Sequence, residues 1–242
     1  MSAHYRIPDY PAGIHETEIL RMFGGLETVK AAIRTACAEE TDSPEAPVSV
    51  IICFSNRSGS NFLAEGLRRT GAIGMGGELF NHEEVALRCK KFEIGTFDSY
   101  VRHIINVHAQ QSRLFCTKVG WSQLYFLLKT GCIPQIIKNP RYLLIKRRDV
   151  LDQAISYSIA MQTKKWTSSH RDQGIDPKFD DALIENCVHG TLMSHFHFEK
   201  LFGLNGQPFL EVHYEDLIAD FQRQLKIICR WLGVKPKRYP IM

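Results

Sequence analysis

The sequence lacks a C-x-x-C pair: its seven cysteines, at 37, 53, 89, 116, 132, 187 and 229, are scattered and odd in number. That argues against a zinc site and against a disulfide framework, and a reducing cytoplasm is the expected location. It lacks any run of eighteen apolar residues, and no charged start leads into an apolar segment with a small-residue cleavage site, so neither a membrane span nor a signal peptide is expected. No lysine and arginine run is interleaved with aromatics, and the net charge is only +4, which suits anionic small molecules and does not call for nucleic acid. Internal repeats and low-complexity tracts are absent as well. No cluster of histidines and carboxylates stands at metal-ligand spacing, so no metal is expected.

What remains is an ordinary globular composition, 44% apolar and 23% charged, over 242 residues. That length suits one domain with insertions. Residues 1–47 read as an N-terminal surface arm bearing Pro8 and Pro11 over its first fifteen residues, a helix over Thr17–Cys37 (Ile19, Leu20, Phe23, Leu26, Val29 and Ile33 at helical spacing) and a linker, ETDSPEAP. Residues 48–235 form the core. VSVIICF (48–54) is apolar on both alternating faces, as a buried parallel strand is. RLFCTKVGW (113–121), RYLLIKRRD (141–149) and PFLEVHYEDL (208–217) are further strand segments, and Asp220–Leu232 reads as an amphipathic helix. Strands alternating with helices predict an α/β fold, a central parallel sheet flanked by helices.

Ligands of such sheets gather at the carboxyl ends of the strands. After the first strand comes SNRSGSNF, which lacks the first glycine and the lysine of a nucleotide-binding G-x-x-x-x-G-K-[ST] loop. It still offers an anion Arg57, the hydroxyls of Ser58 and Ser60, the bare backbone of Gly59, and a helix N-terminus. A plain turn with a serine cap has the same appearance. After RYLLIK stand Arg147 and Arg148, with Asp149 placed to cap the next helix and Ser156 two helical turns on. Between these segments lies MGGELFNHEE, where Gly74, Gly76 and Gly77 would let a loop fold over Glu78, and Leu79 and Phe80 would desolvate its carboxylate.

Taken in order, these motifs resemble sulfotransferases that use 3′-phosphoadenosine 5′-phosphosulfate (PAPS), most of all the bacterial trehalose 2-sulfotransferase family. SNRSGSNFLAEGLRRTGAIGMGGELF is similar to that family's Q-R-S-G-S-T-L-L start and its glycine-rich run ending in a glutamate and an aromatic. RRDVLDQAISYSIAMQTKKW resembles its R-x-D-V-x-x-Q-A-V-S followed by Q-T and tryptophan. TKVGW resembles a K-x-x-W element, and HYEDL a tyrosine and acidic pair common in sulfotransferases.

The resemblance implies a P-loop-like sulfotransferase fold and transfer of a sulfuryl group from PAPS to a hydroxyl of a sugar or glycolipid, leaving 3′-phosphoadenosine 5′-phosphate (PAP). It implies that Arg57, Ser58, Gly59, Ser60 and Asn61 hold the 5′-phosphosulfate, that Ser156 with Arg147 or Arg148 holds the 3′-phosphate, and that Glu78 is the general base, with His82 its rival. Arg148 has the eight-residue spacing to Ser156 of the wider superfamily and Arg147 the nine-residue spacing of the trehalose family. Lys118, Trp121 and Trp166 are candidates to face nucleotide or acceptor, although the tryptophans suit core packing equally. The resemblance leaves room for a homodimer. The family's further basic segment has no counterpart after Met242, so either a shorter cover over the nucleotide or a less enclosed cofactor site is expected. The polar stretch 164–178 is where acceptor specificity would be shaped. A non-catalytic adenosine-phosphate-binding protein and a P-loop kinase are the competing readings.

Overall fold

The computed structural model describes residues 5–11, 13–38, 48–109, 114–167 and 174–240. The linker expected over residues 40–47 and residues 168–173 of the polar stretch lie outside them. In chain order the elements are α1 (Ile14–Met22), α2 (Leu26–Ala38), β1 (Val48–Phe54), α3 (Ser60–Arg69), β2 (Gly74–Met75), α4 (His82–Phe92) and α5 (Phe97–Ala109). There follow β3 (Leu114–Val119), α6 (Trp121–Lys129), α7 (Cys132–Gln135), β4 (Arg141–Lys146), α8 (Val150–Thr163), α9 (Asp181–Leu204), β5 (Phe209–His213), α10 (Tyr214–Ala219) and α11 (Phe221–Trp231).

The five strands form one all-parallel sheet in the order β2-β3-β1-β4-β5. β1 is central, with Val50 opposite both Cys116 of β3 and Arg141 of β4. Its alternate residues enter two separate cores: Val50, Ile52 and Phe54 meet Leu63 and Leu67 of α3 and Leu225 and Ile228 of α11, while Ile51 and Cys53 join Phe126, Phe198 and the residues of α1 and α2. Two apolar faces on one strand require helices on both sides of the sheet, which is what VSVIICF encodes. The connection leaving β1 runs toward β2 and that leaving β4 runs toward β5. The loops after β1 and β4 therefore part at neighbouring strand ends, the switch point where parallel sheets bind ligands.

Three expectations change. The single helix over Thr17–Cys37 is two, because Gly24 and Gly25 adopt φ of 78° and 96°, left-handed backbone that stops α1. HYEDL leaves the strand at His213 and becomes α10, with Glu215 and Asp216 in the first turn where the helix dipole favours acids. The N-terminal arm is not a surface arm: Tyr5, Ile7 and Tyr10 pack against the core. Tyr5 donates its hydroxyl hydrogen to Gln207 Oε1 (3.1 Å), and the backbone N–H of Arg6 donates to Asn205 Oδ1 (2.6 Å). No helix among the described residues is long and apolar enough to cross a membrane.

Gly66, inside α3, shows why that helix carries a poor helix former. A Cβ built there would lie 2.1 Å from Cζ of Phe221, the ring with which α11 covers α3. Alanine normally stabilises a helix interior relative to glycine. Gly66→Ala should reverse that sign and cost about 1–3 kcal/mol through overpacking. Thermal denaturation checks it, and an unchanged or raised Tm would contradict the packing.

Candidate active site

The loop after β1 is held in an unusual backbone by contacts on both sides. Arg57 has φ of 64° and Gly59 φ of 88°, and left-handed backbone at a non-glycine residue costs about 1–3 kcal/mol unless its surroundings enforce it. Arg57 Nε donates to Ser156 Oγ at 2.9 Å, and its Nη1 donates to the Trp166 carbonyl at 2.7 Å. Gly59 lies under Tyr214: a Cβ there would sit 2.4 Å from the tyrosine Cδ2, so both its φ and its neighbour require glycine.

From beneath, Gln153, fully buried on α8, donates through Nε2 to Ser55 Oγ (2.9 Å) and to the Asn56 carbonyl (2.7 Å). Ser55 Oγ lies 3.1 Å from His195 Nε2, whose pKa burial and the nearby Lys146 push down to about 4. The imidazole is neutral, so the direction of this hydrogen bond follows the ring's tautomer. The sequence reading missed both residues; Gln153 stood inside the quoted helix motif, whereas His195 lies mid-helix on α9 with no local signal.

Ser60 and Asn61 open α3, and the first N–H groups of that helix have no intrahelical acceptor. Ser58 is completely buried, does not line the cleft, and its Oγ has no hydrogen-bond partner among the described residues. Gly59, Ser60 and Asn61 do line the cleft, together with Arg57.

At the end of β4 the two arginines separate. Arg148 is clamped by Asp216, Nη1 to Oδ1 and Nη2 to Oδ2 both at 2.7 Å, and its backbone N–H donates to Glu215 Oε1 at 3.0 Å. Arg147 lines the cleft, its guanidinium 4.9 Å from the centroid of the Tyr214 ring and ion-paired with Asp152. Asp149 caps α8 by accepting from Asp152 N–H at 2.8 Å, which aims the helix so that Ser156 also reaches the cleft wall. Tyr214, against Gly59 of the loop and beside Arg147, was quoted within HYEDL but not singled out.

The third wall is the loop after β2. Gly76 N–H donates to the Cys116 carbonyl and Lys118 N–H to the Gly77 carbonyl, both at 2.8 Å, so the loop continues the β2–β3 ladder up to Glu78. Leu79 and Phe80 turn wholly into the core and do not shield the carboxylate, which is 39% exposed. Its neighbour is instead a buried cation: Lys118 Nζ donates to Glu78 Oε1 at 2.9 Å and to Asn61 Oδ1, and sits 5.1 Å from the Phe54 ring centroid. A buried ammonium needs such partners, so Lys118 ties the first turn of α3 to Glu78.

The remaining candidates fall in different places. Trp166 lines the cleft. His82 does not line it and pairs with His15, the two Nδ1 atoms 2.9 Å apart. Trp121 is in the core, stacked on His197 at 5.0 Å and edge-on to Tyr10 at 5.7 Å. It opens α6 with its ring face against His197 of α9, and it does not line the cleft.

Together these walls enclose a cleft of about 820 Å³, and a second cavity of about 480 Å³ adjoins it through Glu78, Asn81 and Glu83. The larger one is of the size that holds small-molecule ligands. It gathers cations at two strand ends and a carboxylate at a third. Among the described residues no group of histidine, cysteine and carboxylate side chains could hold a metal ion.

Comparison with known proteins gives one family. The family model described as Stf0 sulphotransferase matches residues 49–242. No curated protein matches the chain. Among solved structures, the crystal structure of mouse sulfotransferase SULT7A1 complexed with PAP is similar with a TM-score of 0.48 and 15% identity, over 87% of this chain and 67% of that one. Likeness at that level assigns no residues.

Proposed function

This chain belongs to the Stf0 sulphotransferase family, and from that premise we propose that it transfers a sulfuryl group from PAPS to a hydroxyl of a sugar or glycolipid, with Glu78 as general base. The observation that carries the reading is the convergence of Arg57, Arg147, Ser156 and Glu78 on one cleft at the switch point of the sheet. Bound PAPS supplies a sulfuryl group on a phosphate that leaves as negative charge builds on the oxygen between them.

The residues present suit such a ligand. Arg57 and the N-terminal amides of α3 hold an anion at the end of β1 and stabilise charge that grows there. Two of the Arg57 N–H groups are engaged by Ser156 and Trp166, which fixes the guanidinium plane and leaves the others for the anion. Arg147 and Ser156 hold the 3′-phosphate. Arg148 is already satisfied by a bidentate carboxylate, which favours Arg147 for the task. Tyr214, between Gly59 and Arg147, keeps the two anion-binding loops at a set separation.

On the acceptor side, Glu78 takes the proton of the attacking hydroxyl. Lys118 fixes one carboxylate oxygen, which holds the base in one orientation. The cations of the protein neutralise the leaving phosphate, so no divalent ion is needed for the step.

The test is transfer of radiolabelled sulfate from PAPS to a panel of trehalose, other disaccharides and glycolipids, run in EDTA. Transfer to at least one of them, unchanged by the chelator, is the expected result. PAP binding without transfer to any sugar or glycolipid would favour a non-catalytic nucleotide-binding protein, and phosphate transfer from ATP that requires magnesium would favour a kinase.

A further inference from the structure

The family match begins at residue 49, yet one wall of the cleft comes from before it. His15, on the first turn of α1, lines the cleft with Glu78, Asn81 and Glu83. Two contacts set α1 in place. Glu16, fully buried, accepts from Lys129 Nζ at 3.0 Å, and a Cβ built on Gly13 would lie 2.7 Å from Ser122 Cβ, so only glycine allows α1 to approach α6 this closely.

The ring is oriented from α4. His15 Nδ1 lies 2.9 Å from His82 Nδ1 and 3.3 Å from the backbone nitrogen of His82. A backbone N–H can only donate, so His15 Nδ1 is an acceptor and the ring carries its hydrogen on Nε2. Burial and the neighbouring His82 lower the His15 pKa, against the opposing pull of Glu78 and Glu83, which keeps the ring neutral near pH 7. Nε2–H is then the one polar hydrogen the ring can offer a ligand. Beyond it the second cavity runs along α4 past Glu83, Glu84 and Leu87.

We propose that His15 is an acceptor-contact residue, donating Nε2–H to a hydroxyl oxygen of an uncharged polyhydroxyl acceptor, another of whose hydroxyls donates to Glu83. The proposal rests on the sulfotransferase reading above, with Glu78 taking the reacting proton. Polyols suit this wall because each hydroxyl both donates and accepts, matching a neutral imidazole beside carboxylates. An anionic acceptor on this wall would meet Glu78, Glu83 and Glu84 together, of which Glu78 is paired with Lys118 and Glu84 with Arg88.

The experiment compares wild type with His15→Phe, which keeps a ring but loses the donor, and His15→Gln, which restores an amide donor. His15→Leu takes the place of the phenylalanine variant if that does not fold. Each protein is saturated with PAP, its Tm shift is recorded, and trehalose, maltose and glucose are titrated by saturation-transfer NMR. The expected result is an equal PAP shift in all proteins, with saturable binding of at least one sugar to wild type. That binding should be about tenfold weaker in His15→Phe, the scale of one lost hydrogen bond, and partly regained in His15→Gln. A normal PAP shift with unchanged sugar affinity in His15→Phe overturns the role of His15 alone, as does a wild type that takes up none of the three sugars. Absence of any PAP shift in wild type contradicts the sulfotransferase reading, and the proposal falls with it.

Discussion

Glu78→Gln is expected to slow sulfuryl transfer by about a hundredfold or more, the usual contribution of a positioned general base. It should leave the stabilisation by PAP at its wild-type size. The amide has the outline of the carboxylate, and its oxygen can still accept from Lys118 Nζ, so the loop after β2 keeps its place. What is lost is the capacity to take a proton. The substitution also removes the countercharge of an ammonium that is only 4% exposed. Some fall in Tm is therefore expected even though Asn61 remains as a partner. The ligand-induced shift, measured against each variant's own baseline, separates that effect from damage to the nucleotide site. In steady-state terms the loss should appear in kcat and kcat/KM together, since a base acts on the transition state. His82→Gln should change kcat little, because the His82 ring is turned to His15 and does not reach the cleft. Near wild-type turnover of Glu78→Gln would exclude Glu78 as the base, and a large loss in the His82 variant would move the role there.

The parts of this site that were legible in the sequence are those where one physical requirement leaves one residue pattern. VSVIICF can only be a strand covered on both faces, so the loop after it had to lie at a strand end, and of that loop Arg57, Gly59, Ser60 and Asn61 line the cleft while Ser58 is buried away from it. RYLLIK placed Arg147 and Arg148 in the same way but could not choose between them. Their surroundings differ through Asp216 and Glu215, more than sixty residues on, which engage Arg148, while Arg147 stands over Tyr214 and pairs with Asp152. Trp121 shows the same limit, since an aromatic just past a strand suits a ligand wall and a core equally well. Only the partners decide, and here they are His197, Tyr10 and Phe198.

The setting of Glu78 was misread for a related reason. Leu79 and Phe80 follow it in sequence and suggest an apolar pocket, but the chain turns there, sending both into the core and leaving the carboxylate to Lys118. His15 and His195 had no local pattern to give them away, and Gln153, although inside the quoted helix motif, had nothing to mark it as buried beneath the loop. Each acts through a contact that spans at least 67 positions, which periodicity and spacing cannot report. At the fold level, Gly24 and Gly25 were visible as glycines, yet the apolar spacing runs on across them. Their left-handed backbone, not any break in the pattern, divides α1 from α2.

The second large effect is discrimination by the 3′-phosphate, and it bears most directly on what the cleft holds. A ligand at about a hundredfold its Kd stabilises the folded state by about 2.7 kcal/mol. For a chain of this size that is a rise in Tm of about 5–10 °C. PAP can engage the loop after β1 through its 5′-phosphate and Arg147 with Ser156 through its 3′-phosphate. AMP has only the first. Arg147→Ala should bring the PAP shift down toward the AMP shift while leaving AMP nearly unaffected, because the arginine stands at the end of β4 and not in the β1 loop. Arg148→Ala should leave the difference between the ligands intact, since its guanidinium is committed to Asp216. The decisive measurement is the Tm of the wild-type protein with PAP and with AMP at equal concentration, without magnesium. The account predicts a shift several degrees larger for PAP, and equal shifts from the two nucleotides would contradict it.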